Sequence, residues 1–199
     1  KRKAFISNED FLVEFDFDAY HLRLIGELVN YKFGEESVHQ HLAEFYGSTY
    51  EESKQISFKL LYGGITKEIK EKVPFFAKVD EYINSLYMQY NSDKHIKSNI
   101  YSRKIVLDGA NKNKLFNYMI QSFETERNIK AILKLKEYLS EVKTNLVLYG
   151  YDSFLFDFNK EDGVEILRNI KNILEENKYP TKIKMGTIYN SMTDITQRL

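Results

Sequence analysis

Short strand patterns lie near both ends of this sequence, and helical patterns fill the region between them. Over residues 11–16 (FLVEFD) every second residue is apolar on one face, which predicts a strand. Apolar runs at 146–149 and 154–156 flank a Gly-containing turn, which predicts a hairpin with Asp152 at its turn. A final strand is predicted over 182–188. This arrangement predicts an α+β fold with an antiparallel sheet and a helical insertion, and not a doubly wound sheet.

Helical patterns account for most of the sequence between these strands. Ser48 and Thr49 each stand three residues before a Glu, the spacing of a capping box, and predict a helix that breaks at Gly63. A short strand is predicted over 100–107. Further helices are predicted from Ala19 to a stop at Gly34, from Pro74 to Tyr90, and from Val164 to Leu174. Residues from Lys114 to about Val142 are predicted to form one long helix or two abutting helices.

The balance of charges limits what this chain is expected to bind by itself. Its 199 residues include 29 Lys and Arg against 29 Asp and Glu, which gives a net charge of zero. Because neutralisation of phosphates dominates affinity for nucleic acids, strong DNA binding by this chain alone is not expected. Cysteine is absent, the opening KRKAFISNEDF lacks the apolar stretch of a signal peptide, and no apolar run is long enough to span a membrane. We therefore expect a cytoplasmic protein without membrane association.

Asp16 and Asp152 are the candidate metal-binding side chains. Each is predicted at a strand end or hairpin turn of one antiparallel sheet, so the two carboxylates can share a site although they are far apart in sequence. With the carbonyl oxygen of Phe17 they would offer the hard oxygen ligands that Mg²⁺ prefers. On these residues alone, the alternative interpretation is a pair of ordinary turn aspartates.

Tyr50, Lys54, Phe58 and Tyr62 recur at every fourth residue and therefore line one face of a predicted helix. A Lys between aromatic rings can place its ammonium on a phosphate and the rings against a base. The alternative is an exposed Lys beside core aromatic residues, which is a common arrangement.

Two segments resemble the catalytic motifs of the family A (DNA polymerase I-like) DNA polymerases. RKAFISNEDFLVEFDFDAYHLR resembles the segment that leads into and forms motif A, with Asp16 in the place of the first catalytic aspartate. LVLYGYDSFLFDF resembles motif C, with Asp152 as the second catalytic aspartate between two hydrophobic strands.

Three further segments continue the resemblance in the family's order. KQISFKLLYGG resembles motif B, the fingers helix, through Lys54, Phe58, Tyr62 and Gly63. NYMIQSFETE resembles the segment that carries an Asn and a Gln, here Asn117 and Gln121, to the minor groove of the duplex, and KIKMGTIYNSM resembles the closing strand.

The resemblance implies a right-hand polymerase architecture that lacks the thumb. Residues 1–33 would belong to the palm, 34–98 to the fingers and 99–199 again to the palm. In the family the thumb and any exonuclease domain precede motif A, so a missing thumb or exonuclease segment or a processivity partner is expected to complete the enzyme. The expected setting is the cytoplasm of a bacterium or of a phage-infected host.

The implied activity is DNA replication by a DNA-directed DNA polymerase. A primer 3′ hydroxyl would attack the α-phosphate of an incoming dNTP, with two Mg²⁺ ions held by Asp16, Phe17 and Asp152. Lys54 would bind the nucleotide phosphates and assist the departure of pyrophosphate, while Phe58 and Tyr62 would stack by the sugar and base.

Other residues take their expected roles from the same resemblance. His39 resembles the family's phosphate-contacting His, although a surface His in a polar stretch is the alternative. Arg103, Asn117, Gln121 and Gly63 would contact the primer-template DNA.

Several positions depart from the family pattern. Tyr50 stands in the nucleotide-binding helix where the family has Arg, and His21 stands where motif A has a sugar-selecting Glu. Tyr151 and Ser153 flank Asp152 in place of His and Glu. These departures indicate a divergent, phage-like member and leave two alternatives open. One is a catalytically impaired nucleic-acid-binding or scaffold protein on the same fold; the other is a single-subunit phage-type RNA polymerase, whose motif C is similar to YDSF.

Overall fold

The computed structural model describes residues 5–34 and 37–199, without the side chain of Tyr62 or the exposure of Gly63. Packing divides the chain into two compact units. The first contains the described residues up to Tyr20 together with Arg127–Leu199, and the second is His21–Glu126. The boundaries of palm and fingers given above are functional assignments and stay predictions.

The described residues form seven α-helices and seven strands. In chain order these are β1 (Phe11–Phe17), α1 (Tyr20–Leu28), α2 (Val38–Tyr46), α3 (Tyr50–Gly63), α4 (Lys67–Lys72), α5 (Pro74–Asp93), β2 (Ile96–Lys97), β3 (Lys104–Ile105), α6 (Lys112–Tyr138), β4 (Asn145–Tyr149), β5 (Ser153–Phe158), α7 (Val164–Glu175), β6 (Thr181–Ile188) and β7 (Ser191–Asp194).

The first unit is built on a five-stranded sheet in the order β4-β5-β1-β6-β7, and every neighbouring pair is antiparallel. Because β1 is central, it buries side chains on both faces. On one face Phe15 is fully buried and packs edge-on against Phe156, with ring centroids 5.6 Å apart. On the other face Leu12 packs with Leu155 and Tyr189. The predicted α+β class and antiparallel sheet are confirmed.

The second unit is helical, and its elements begin at the caps that the sequence indicates. Of the two candidate capping boxes, the chain uses Thr49 with Glu52: the Glu52 N–H donates to the Thr49 hydroxyl, and the Thr49 N–H donates to the Glu52 carboxylate at 2.8 Å. Pro74 occupies the first turn of α5, where its missing N–H has no partner to lose. One core cluster of this unit contains Leu86, Ile96, Leu115 and Met119.

The expectations about these elements contain three errors, two wrong assignments and one omission. Helix α1 ends at Leu28 and not at Gly34, because Asn30 adopts a left-handed backbone with φ 50°. Helix α2 was not predicted, although Ser37 accepts a hydrogen bond from the Gln40 N–H as its N-cap and Gly47 ends it at φ 66°.

The third error concerns the strand expected over 100–107. Only Lys104–Ile105 form a strand there, paired with Ile96–Lys97. The amides of Ile100 and Tyr101 donate instead to the carboxylate of Glu126 and so are not available to a strand ladder. Across the part of the chain that the structure describes, no helix is both long and apolar enough to cross a membrane.

Candidate active site

The sheet of the first unit brings Asp16 and Asp152 to the same end of two neighbouring strands. Asp16 is the penultimate residue of β1 and pairs with Ser153, the first residue of β5. The Phe17 N–H donates to the carbonyl oxygen of Asp152 at 2.9 Å, so the backbone hydrogen bonds continue to Asp152 itself. The two residues chosen from sequence are thus neighbours in space.

The surroundings of Asp16 disfavour its negative charge. Burial raises the pKa of the Asp16 carboxyl above its ordinary value, and the charges of Asp152 and Glu14 raise it further, whereas Lys184 and Lys182 lower it. Both lysines also form ion pairs with other carboxylates: Lys182 lies 2.9 Å from Asp18, and Lys184 lies 4.0 Å from Glu14. A bound cation would offset the excess negative charge at this end of the sheet.

The donor set at Asp16 and Asp152 fits magnesium. Within residues 5–34 and 37–199, no group of three or more His, Asp or Glu side chains is arranged to hold a metal ion. Mg²⁺ is commonly held by one or two carboxylates, with water and substrate phosphates completing its octahedral shell. The half-buried carboxylate of Asp16 and the exposed carboxylate of Asp152 meet that requirement, whereas a structural Zn²⁺ site would need four protein ligands.

Phe17, the third expected metal ligand, would contribute only its carbonyl oxygen. Its side chain is buried and stacks on Tyr20 with the ring centroids 4.2 Å apart. Phe154 packs edge-on against the same ring. These aromatic contacts hold the end of β1, and therefore the backbone next to Asp16, in a fixed position.

In the second unit, α3 presents Lys54 and Phe58 away from its buried face, whereas Tyr50 is half-buried in its first turn. The buried side of the helix is formed by Ser53, Ser57, Leu60 and Leu61. The Lys54 ammonium lies 3.3 Å from a carboxylate oxygen of Glu51 and 4.4 Å from the centroid of the Tyr50 ring. Phe58 is 49% exposed and is not a core residue. The side chain of Tyr62 and the exposure of Gly63 lie outside the described part of the chain.

His39 is buried against α3. Its ring meets the Tyr50 ring edge-on at 5.7 Å, and only 5% of the residue is exposed. It is therefore not a surface His. Tyr50 is flanked by His39 on one side and by the Lys54 ammonium on the other.

His21 has an acidic neighbour that the sequence did not indicate. Its Nε2 lies 3.2 Å from a carboxylate oxygen of Glu124, which is almost fully buried in α6. The two residues are about a hundred positions apart in sequence, and although Glu124 lies in the NYMIQSFETE segment, the resemblance gave it no role. Its only local signal is its place three residues after Gln121.

The expected DNA-contacting residues of this unit lie on α6 and in the segment between β2 and β3. Asn117 is half-buried and Gln121 is exposed one turn further along α6, so the two share a helix face. Arg103 is exposed over most of its side chain, and its Nε donates to Glu126 at 2.7 Å.

Glu126 organises the segment that carries Arg103, and sequence patterns did not identify it. One carboxylate oxygen accepts from the Ser98 hydroxyl at 2.6 Å and from Arg103, and the other accepts from the amides of Ile100 and Tyr101. Burial by itself raises the pKa of Glu126, but these hydrogen bonds outweigh it and hold the pKa below its ordinary value.

Glu126→Gln is expected to destabilise the protein by about 2–4 kcal/mol at pH 7. In the variant an NH₂ group, which cannot accept a hydrogen bond, replaces one of the two carboxylate oxygens. Whichever way the Gln amide is turned, this group faces two of the four donors that bond the Glu126 carboxylate. Because the folded-state pKa is lowered, the contribution of Glu126 is complete above about pH 5 and is lost as pH falls through the folded pKa. Urea unfolding at pH 7, 5 and 3 should therefore show the difference between wild type and variant shrinking at pH 3.

Glu137→Gln, at an exposed position of the same helix, is the matched control and should change stability by less than about 0.5 kcal/mol. A difference for Glu126→Gln that stays constant from pH 7 to pH 3 would contradict the role of its charge.

Comparison with known proteins adds a fold neighbour. No protein-family model matches this sequence, and no curated protein matches it. Among solved structures, the POL domain of Pol1 from M. smegmatis in complex with DNA primer-template and dNTP is similar, with a TM-score of 0.78 and 17% identity. The similarity covers 95% of this chain but 42% of that chain, so this chain spans less than half the length of its neighbour.

The chain therefore has the fold of a polymerase domain. At 17% identity the likeness concerns the fold, and function has to be argued from the site.

Proposed function

We propose that this chain is the polymerising part of a template-directed DNA polymerase of the family A type, which transfers a nucleotide from a dNTP to a primer 3′ hydroxyl. The observation that carries the proposal is the placement of Asp16 and Asp152 at the same end of two adjacent strands, in a fold similar to a polymerase domain.

In this proposal Asp16, Asp152 and the carbonyl oxygen of Phe17 hold two Mg²⁺ ions. When bound, magnesium would stabilise the charge that develops during phosphoryl transfer. The chain itself contributes position: β1 and β5 fix the two carboxylates on a rigid sheet, and the rings around Phe17 hold the end of β1. Rigid placement of ligands is a large part of catalysis in this reaction class.

Helix α3 is proposed to bind the incoming nucleotide. Lys54 would contact the phosphates, and the exposed Phe58 together with Tyr62 would pack by the sugar and base. Breaking the ion pair between Lys54 and Glu51 would cost little free energy, since exposed pairs of this kind contribute about 0.2–1 kcal/mol. Tyr50, in the place of an Arg, adds no charge, so Lys54 would be the main cation of this helix face. His39 would act through Tyr50, which it supports.

Primer-template DNA is the proposed partner of Arg103, Asn117, Gln121 and the backbone at Gly63. The side chains of Asn117 and Gln121 share a face of α6, and amide side chains can both donate and accept in a minor groove. Arg103 keeps guanidinium nitrogens beyond the one that bonds Glu126, and these are suited to phosphate. Because the net charge is zero, binding is expected to be weak.

Single-nucleotide extension of a labelled primer-template by excess protein at low salt tests the proposal. The expected result is addition of the templated dNTP with Mg²⁺ and none with the wrong dNTP. Binding without extension would favour the catalytically impaired alternative, and efficient use of rNTP would favour the RNA polymerase. If the protein neither binds the primer-template nor extends it, the proposal is refuted.

His21 is expected to influence the choice between dNTP and rNTP, since it stands in the sugar-selecting position. Imidazole can hydrogen-bond a 2′ hydroxyl, whereas the family's Glu excludes it by its bulk. Replacing His21 by Glu alone would place two carboxylates together, because Glu124 lies 3.2 Å from the His21 Nε2. The informative variant is therefore the double change His21→Glu with Glu124→Gln.

The double variant should raise the ratio of kcat/KM for dNTP to that for rNTP about tenfold, and Glu124→Gln alone serves as its control. The ratio is measured at two pH values, because imidazole changes charge near neutrality. A ratio that responds neither to the double change nor to pH would show that His21 takes no part in sugar choice.

A further inference from the structure

The turn that carries Asp152 has an unfavourable backbone conformation. It is closed by two hydrogen bonds, from the Gly150 N–H to the Ser153 carbonyl at 2.8 Å and from the Ser153 N–H to the Gly150 carbonyl at 3.3 Å. Tyr151, immediately before Asp152, has φ 58°, in the left-handed region that a side chain with a Cβ disfavours. Contacts outside the turn must therefore hold this conformation.

Asn128, in the second half of α6, supplies such a contact. It is fully buried, and its Nδ2 donates to the carbonyl oxygen of Tyr151 at 2.7 Å and to the hydroxyl of Tyr149 at 3.0 Å. Its Oδ1 accepts from the hydroxyl of Tyr20 at 2.7 Å. Because a carbonyl oxygen can only accept, the orientation of the Asn128 amide is fixed by Tyr151.

The guanidinium of Arg127 sets the direction of these hydrogen bonds. A guanidinium nitrogen of Arg127 donates to the Tyr20 hydroxyl at 3.0 Å, so that hydroxyl donates its own hydrogen to Asn128. The guanidinium is itself buried and lies 3.9 Å from the centroid of the Tyr179 ring. Arg127, Tyr20 and Asn128 thus form one directed series that ends on the Tyr151 carbonyl.

Asp152 is consequently held on both sides of its Cα. The peptide before it is bound by Asn128 through the Tyr151 carbonyl, and the peptide after it is bound by β1 through the Phe17 N–H at 2.9 Å. If the first contact is removed, the second still attaches the turn to the sheet. The expected consequence is a displaced carboxylate and not an unfolded protein.

We propose that Asn128 is a positioning residue that sets the placement of the Asp152 carboxylate for metal binding. The proposal rests on the proposed function, because it gives Asp152 the role of a metal ligand. Partners that orient metal ligands typically change metal affinity or activity by about 10–100-fold when they are removed.

The test compares Asn128→Ala with Asn159→Ala. Asn159 is also a buried, hydrogen-bonded Asn of this unit, but it follows β5 at the end remote from Asp152, where its Nδ2 donates to Glu9 at 2.6 Å. Mn²⁺ binding is measured by electron paramagnetic resonance, and exchange of the turn amides by hydrogen-deuterium exchange. Tyr20→Phe, which keeps the ring and removes only the hydroxyl, is the milder second variant.

Asn128→Ala should weaken Mn²⁺ binding at least tenfold and speed exchange at the hydrogen-bonded amides of Gly150 and Ser153, while Asn159→Ala leaves both unchanged. Tyr20→Phe should change both in the same direction by about threefold, which keeps the test valid if Asn128→Ala does not fold. In primer extension, Asn128→Ala should lower kcat. The KM for dNTP should stay within about twofold of the wild-type value, since the nucleotide-binding helix is untouched.

Wild-type Mn²⁺ affinity in Asn128→Ala, or equal losses in both Asn variants, would overturn the proposal. If the wild type itself binds no Mn²⁺, the proposed function fails. Amide exchange then judges the positioning role by itself, and unchanged exchange at Gly150 and Ser153 in Asn128→Ala and Tyr20→Phe would refute it.

Discussion

Asp152→Asn and Asp16→Asn are each expected to reduce primer extension by a factor on the order of 10³ or more, equivalent to about 4 kcal/mol of transition-state stabilisation. The change removes a charge that the metals require and almost no volume. For Asp16, stability should move in the opposite direction to activity. Burial together with the charges of Asp152 and Glu14 raises the pKa of its carboxyl, so its ionised form opposes folding at neutral pH and a neutral amide relieves that.

Asp157→Asn is the matched control on the same strand. Asp157 accepts hydrogen bonds from the amides of Asn8 and Glu9 at 3.0 and 3.1 Å, at the end of β5 remote from the turn. This variant should lose thermal stability and keep its rate of extension. Extension near the wild-type rate in either Asp16→Asn or Asp152→Asn would refute the two-metal mechanism.

The elements that could be predicted from sequence are those whose causes are local. The alternation over 11–16 and the apolar runs on either side of Gly150 are sufficient for β1, β4 and β5, because both patterns are carried by the residues of the strands themselves. The start of α3 is equally local, since Thr49 and Glu52 satisfy each other's backbone donors. The N-cap Ser37 and the terminal Gly47 of α2 carried a comparable signal that was not used.

Elements shaped by distant side chains could not be predicted. The segment 100–107 has a strand-like composition, but two of its backbone amides donate to the carboxylate of Glu126 on α6. No pattern within the segment indicates Glu126 as their partner. The same reason applies at the candidate site. Asp16 and Asp152 are identifiable because strand ends and turns are local features, whereas Glu124 and Asn128 matter only through distant groups that the fold brings to them, the His21 ring and the Tyr151 carbonyl.

Lys54→Ala is expected to lower kcat/KM for dNTP incorporation by about 10²–10³-fold, or about 3–4 kcal/mol, through both a higher KM and a lower kcat. An ammonium on the phosphates acts in the ground state and acts more strongly as charge develops on the leaving pyrophosphate. The loss should be large because Tyr50 replaces the second cation of this helix face. Lys54→Arg should recover part of the activity, since it restores the charge.

Stability separates this role of Lys54 from a structural one. In the structure Lys54 contacts Glu51 at 3.3 Å and lies over the Tyr50 ring at 4.4 Å, and exposed contacts of these kinds contribute about 1 kcal/mol or less. Lys59→Ala, at an exposed position of the same helix, controls for general attraction between the helix and nucleotide. A catalytic loss confined to Lys54, with both variants nearly as stable as wild type, is the expected pattern. Equal losses in both would mean that α3 supplies only diffuse positive charge, and unchanged kinetics in Lys54→Ala would leave its ammonium as a partner of Glu51 and Tyr50 alone.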